Sequence, residues 1–160
     1  MRKYFLSFLI SINCFFLFAQ LVPPMREQKI NMPVARFKTG DDKIYREAAL
    51  DDSKWQIVKT NEPWDEQGFE NYDGFVWYRI HVTIPSSLKK QSFWKDSLRI
   101  YMAKIDDADE VYLNGVLVGK KGSFPTEAAG YITKWDEERE YHISTSNPAI
   151  RWDKDRKSVV

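Results

Sequence analysis

The clearest pattern lies in residues 71–85, Asn-Tyr-Asp-Gly-Phe-Val-Trp-Tyr-Arg-Ile-His-Val-Thr-Ile-Pro. Val76, Tyr78, Ile80, Val82 and Ile84 alternate with Phe75, Trp77, Arg79, His81 and Thr83. A period of two predicts a strand, and apolar residues on both faces predict a strand covered on both sides. The strand is expected to start at the Asp73-Gly74 turn and stop at Pro85. Weaker alternations predict further strands around Phe37 (34–39), at 55–58, at 98–103 and at 141–144. Val111 and Leu113 precede Asn114-Gly115, and Val116 and Val118 follow. Asn-Gly between two alternating runs predicts a tight hairpin, because both residues tolerate positive φ. No stretch shows clear helical periodicity, and no internal repeat is visible. Many short strands at this spacing predict an all-β jelly-roll sandwich over residues 34–160.

Two ends fall outside that pattern. Arg2-Lys3 followed by an apolar run from Tyr4 to Phe18 and then Ala19-Gln20 has the layout of a secretory signal peptide, assigned to 1–20. The run is short for a membrane span. Residues 21–33, with Pro23, Pro24 and Pro33, are expected to be a linker. At the other end only Ser158-Val159-Val160 could start a strand, so the sandwich is expected to lack its last strand or strands and the chain to be a fragment.

Composition changes this picture in three ways. The single cysteine, Cys14, lies inside the apolar run, so the exported domain would have no disulfide and must rely on burial. Setting Arg2 and Lys3 aside leaves 22 basic against 23 acidic residues, a net of −1. That balance argues against nucleic acid, or an anionic membrane after signal cleavage, as the main partner. Aromatic residues make up 15% of the chain, including six tryptophans, which suits an aromatic core, a sugar-stacking surface or both.

The candidate chemistry is that of binding. Trp64 shares a polar loop with Asp65, Glu66 and Gln67, and Trp135 is followed by Asp136. A ring beside carboxylates and amides can stack on a pyranose while the polar groups take its hydroxyls. Trp64, Glu66, Gln67, Trp135 and Asp136 are therefore the candidate carbohydrate contacts; the competing reading of each tryptophan is a lid folded back on the core. Trp77 and Arg79 are expected to be structural, with the arginine held by an acidic partner, and Asn114 and Gly115 to be the hairpin turn. Asp106, Asp107 and Asp109 carry the oxygens calcium takes, but their spacing is not that of an EF-hand, and a solvated acidic turn is the expectation. His81 and His142 sit on separate predicted strands with no cysteine beside them, so no metal or other cofactor is expected. No nucleophile elbow, zinc-protease motif or complete phosphate loop is present.

One ordered series of residues goes further. Phe37 to Asp41, Asp51 to Trp55, Pro63-Trp64, Asp73-Gly74, Trp77-Tyr78-Arg79, Pro85 and Ile105 to Gly115 with Gly119 resemble the galactose-binding-like jelly roll of family 2 glycoside hydrolases such as β-galactosidases. They are similar also to modules that accompany sialate O-acetylesterases. The resemblance spans roughly 34–152 and implies an exported, non-catalytic carbohydrate-binding or accessory module. Its partners would be carbohydrate and the catalytic domain of a larger hydrolase. The alternatives it leaves are a sandwich that only docks domains together, or part of a sialate O-acetylesterase-type hydrolase.

Overall fold

The computed structural model describes residues 28–91, 96–154 and 157–159. The expected signal peptide, 1–20, lies outside the described residues, as does most of the expected linker. Strands β1 (Val34–Thr39), β2 (Gln56–Lys59), β3 (Val76–His81), β4 (Ser97–Lys104), β5 (Asp109–Leu113), β6 (Val116–Lys121), β7 (Glu138–Ser144) and β8 (Lys157–Val159) follow in chain order. Short 3-10 turns at Lys43–Arg46 and Trp64–Gln67 and one helical turn, α1 (Leu88–Gln91), are the other regular elements.

The strands form two layers. One is a six-stranded antiparallel sheet in the order β2-β1-β3-β8-β5-β6, and the other pairs β4 with β7. This is the all-β, jelly-roll-like sandwich that the alternation predicts. Registers put Phe37 beside Tyr78 and Ala35 beside Val58, on the face turned into the sandwich. Leu113 of the large sheet and Ile143 of β7 are buried in one apolar cluster with Ile84, Leu88, Ala149 and Ile150, and Leu98 and Ile100 of β4 pack against it. Gly119 lies against the ring of Tyr141, with no room for a Cβ between the layers.

The other face of the large sheet has its own small core. Trp77 and Tyr112 are buried there, with Tyr45 and Trp55 packed against them. Arg79, on the same face, is fully buried; its Nε donates to Asp52 Oδ2 at 2.8 Å and its Nη1 donates to the Tyr45 carbonyl. His81 Nε2 is 2.8 Å from the same Asp52 oxygen. The segment 42–55 is therefore a lid tied down by a buried ion pair. This cover is what the apolar residues on both faces of the strand require.

Three boundaries differ from the sequence reading. The long strand over 71–85 is paired only over Val76–His81. Tyr72 Oη donates to the Phe75 carbonyl before it, and after it the Ile84 carbonyl accepts from Asp153 N instead of from a neighbouring strand. The weak strand at 141–144 is instead seven residues long. Lys157–Val159 form β8 at the middle of the large sheet and not at its edge, pairing with Arg79–His81 on one side and with Tyr112 and Leu113 on the other. The hairpin turn has φ of 52° at Asn114 and 86° at Gly115, as Asn-Gly predicts. Asn114 also donates from Nδ2 to the Ala149 carbonyl at 2.8 Å.

Candidate functional site

The registers gather several loops at one end of the sandwich. β3 and β5 both run antiparallel to β8, so their first residues, Val76 and Asp109, lie at the same end. The ends of β1 and β6 come there too, since Thr39 pairs with Val76 and Lys121 with Asp109. Lys121 Nζ donates to the Glu138 carbonyl at 2.9 Å, which brings in the start of β7. The connections 72–75, 105–108 and 122–137 therefore form one surface. Phe75 and Phe124 meet edge to face across it, 5.3 Å between ring centroids. Ser123 and Ile132 pair through their backbones and close the longest loop on itself.

A buried cation fixes this surface from behind. Arg139 has no exposed side-chain area and is paired through Nε with the Asp109 carboxylate. Its Nη1 donates to the Lys134 carbonyl at 2.6 Å, and its Nη2 donates to the carbonyls of Ile105 at 2.9 Å and Asp107 at 3.2 Å. Tyr141 Oη donates to the other Asp109 oxygen at 2.6 Å, and burial, then that carboxylate, pushes the phenol pKa up. Lys134 N donates to the Asp107 carbonyl at 2.7 Å. One guanidinium thus holds the 105–108 and 134–137 turns together. A buried pair is retained only when its remaining hydrogen-bonding sites are met, and this one meets them with loop carbonyls.

What the loops present outward is aromatic and acidic. Trp135 is 60% exposed, Tyr131 51% and Ile132 45%. The pKa of the Tyr131 hydroxyl is pushed up to about 12, chiefly by the neighbouring Asp107 carboxylate, then by partial burial and by the charges of Asp106 and Asp73. Asp73, Asp106 and Asp136 are exposed. Glu137 is committed to Lys134 at 2.7 Å and Lys121 at 3.0 Å, which hold its carboxyl down to about 2. Exposed rings ringed by free carboxylates can stack on a sugar and take its hydroxyls.

The sequence candidates divide on this geometry. Trp135 and Asp136 lie on the surface just described. Trp64 does not join them: its ring is half-buried, 6.2 Å from that of Phe37, in a cluster that includes Phe69 and Tyr78. The Gln67 amide is used up locally. Its Oε1 accepts from Lys59 N at 2.7 Å, and its Nε2 donates to the carbonyls of Lys59, Glu62 and Pro63 at 3.0–3.2 Å. By bonding both backbone groups of Lys59, Gln67 stands in for a further strand on the open side of β2, the edge of the sheet. Of that loop's three candidates only Glu66 is exposed. Replacing Gln67 with alanine should lower stability by roughly 0.5–1.5 kcal/mol in urea unfolding, the net worth of hydrogen bonds whose backbone partners water can reach.

Asp106, Asp107 and Asp109 do not converge as calcium ligands, because Asp109 turns inward to Arg139 and Tyr141. Among the described residues no group of three His, Cys, Asp or Glu is placed to hold a metal ion. Sequence reasoning missed Arg139 and Tyr131. The signal for the first was present: Arg139, Tyr141 and Ile143 alternate with Glu138, Glu140 and His142, which puts the arginine on an inward face. Nothing in the sequence marks Tyr131, whose role depends on a pairing distant in the chain.

No family model matches the chain, and no curated protein does. Solved structures do. The chain is similar to a β-glucuronidase of Bacteroides uniformis, with a TM-score of 0.54 and 24% identity, over 82% of this chain and 14% of that one. A family 2 glycosyl hydrolase of Bacteroides cellulosilyticus gives a TM-score of 0.53 at 17% identity, over 79% and 16%. A β-glycosidase of Bacteroides vulgatus gives 0.51 at 25% identity, over 81% and 16%. The fold is that of a domain found within family 2 glycoside hydrolases, and the chain spans less than a fifth of the length of these enzymes. The resemblance to modules of sialate O-acetylesterases gains no support from these neighbours.

Proposed function

We propose that the chain is a non-catalytic, carbohydrate-binding accessory domain of an exported glycoside hydrolase of the β-galactosidase or β-glucuronidase type. Its site is the loop surface of Tyr131, Trp135 and Asp136 with Asp73, Asp106 and Asp107. The observation that carries this reading is Trp135, more than half exposed on a turn whose backbone is locked by a buried arginine. A ring carried on a held backbone loses less entropy on stacking than one on a loose loop, so weak individual contacts suffice. Glycosidic hydrolysis needs two carboxylates at a set separation, and that chemistry is assigned here to a separate catalytic domain.

Trp135→Ala is the test. It should weaken binding to a panel of neutral galactosides and glucosides about tenfold, on the order of 1.4 kcal/mol, and leave the thermal midpoint unchanged. Unchanged affinity would sink the stacking role. One observation also favours a docking role. Tyr131, Ile132 and Trp135 lie within five residues of the loop and are all exposed, as a contact with a neighbouring domain requires. If no sugar on the panel binds the unaltered chain, that second reading takes over.

A further inference from the structure

A cleft opens at the β2 edge of the large sheet. β1 and β2 are paired only as far as Phe37 and Gln56. Beyond that pair they splay, and a cleft of about 170 Å³ lies between them, lined by Phe37, Lys38, Thr39, Lys54, Trp55, Gln56 and Phe69. None of these residues is acidic. Ion pairing is common elsewhere on the described surface: Lys43, Arg46, Lys59, Lys120, Lys121 and Lys134 each reach a carboxylate. Lys38 and Lys54 have no such partner among the described residues. Both unpaired lysines line the same small opening, so its lining carries positive charge and no negative charge.

The remaining lining is suited to a sugar ring. Trp55 and Phe69 supply aromatic walls. Gln56 commits its Nε2 to the Gln67 carbonyl at 3.0 Å, which holds the side chain in place and leaves its Oε1 as an acceptor. Thr39 is a further polar lining residue. Apolar walls with a few placed polar groups are the general make-up of a small-molecule site.

We propose that this cleft binds a single anionic pyranose, with its carboxylate or sulfate oxygens held by Lys38 and Lys54. The site is separate from the loop surface of Trp135 and has the opposite charge preference, since the carboxylates around Tyr131 disfavour an anion and the lysines here attract one. The proposal rests on the carbohydrate-binding reading only for the class of ligand.

The experiment is an amide-resolved NMR titration of the 160-residue chain with glucuronate, galacturonate, glucose 6-sulfate and glucose. Saturable shifts at Thr39, Gln56 and the Trp55 indole are expected with the anionic sugars, and about tenfold weaker binding with glucose. The carboxylate and sulfate arms tell which oxyanion is preferred. High salt should weaken the anionic sugars and not glucose. Lys38→Ala with Lys54→Ala should abolish the shifts; both side chains are exposed, and an unchanged thermal midpoint checks that the fold is intact. Trp135→Ala should leave these shifts in place while weakening neutral-sugar binding at the end loops, so the two sites fail separately. Equal binding of glucose, survival of the shifts without both lysines, or no shift at these residues with any anionic sugar would each overturn the proposal.

Discussion

A chain that stops at Arg156 is expected to lose its cooperative thermal transition. The last strand is only three residues long, but among the described residues it is the only strand that pairs with both halves of the large sheet. Lys157–Val159 pair with Arg79, Ile80 and His81 on one side and with Tyr112 and Leu113 on the other. Without them β2-β1-β3 and β5-β6 become separate ribbons, each with a newly exposed edge. The residues along that seam are among the most buried in the protein: Arg79, Ile80, Tyr112 and Leu113. Opening the seam wets the apolar cluster that meets β7 and also the aromatic lid over Trp77. A domain of this size has a net stability of only about 5–15 kcal/mol, and losing a central strand removes a comparable amount. A circular-dichroism melt of the shortened chain beside the 160-residue chain is the measurement. A cooperative transition within a few degrees of the parent would mean that the two halves hold together through the β4–β7 layer alone.

The parts of the fold legible in the sequence are those fixed by neighbouring residues. Alternation around Phe37 gives β1 to the residue, and Asn114-Gly115 gives the hairpin, because period and turn chemistry act within a few positions. Long-range pairing is where the reading falls short. Ser158-Val159 carries no more strand signal than many edge segments, and only its two distant neighbours make it central. Trp64 and Gln67 have the composition of a sugar site, yet the ring covers Phe37 and the amide caps a sheet edge. Local composition cannot distinguish a polar group offered to a ligand from one already spent on a backbone. Of the candidate surface, Trp135 and Asp136 were legible, whereas Tyr131 and the Arg139 anchor depend on loops converging from three parts of the chain.

Arg139→Ala should cost on the order of 3–5 kcal/mol, because it leaves the buried Asp109 carboxylate without its partner. The carbonyls of Ile105, Asp107 and Lys134 lose their shared donor in the same step. Tyr141 can still donate to Asp109, so part of the charge stays satisfied. Asp109→Ala should cost a similar amount by stranding the guanidinium. Replacing both, as Arg139→Met with Asp109→Leu, should cost much less than the sum of the two single changes, since no buried charge is then left alone. Urea unfolding of the single and double variants measures that coupling. The same variants carry a functional consequence: Arg139 lies behind the surface, so it should affect binding only by fixing the turn that holds Trp135. Arg139→Met in the double variant should therefore weaken sugar binding even where stability is largely regained, because an apolar pair cannot hold the four carbonyls of Ile105, Asp107, Lys134 and Glu137 in register. If the double variant binds as the parent does, the turn is held by its own backbone bonds, such as Lys134 N to the Asp107 carbonyl, and the buried arginine serves stability alone.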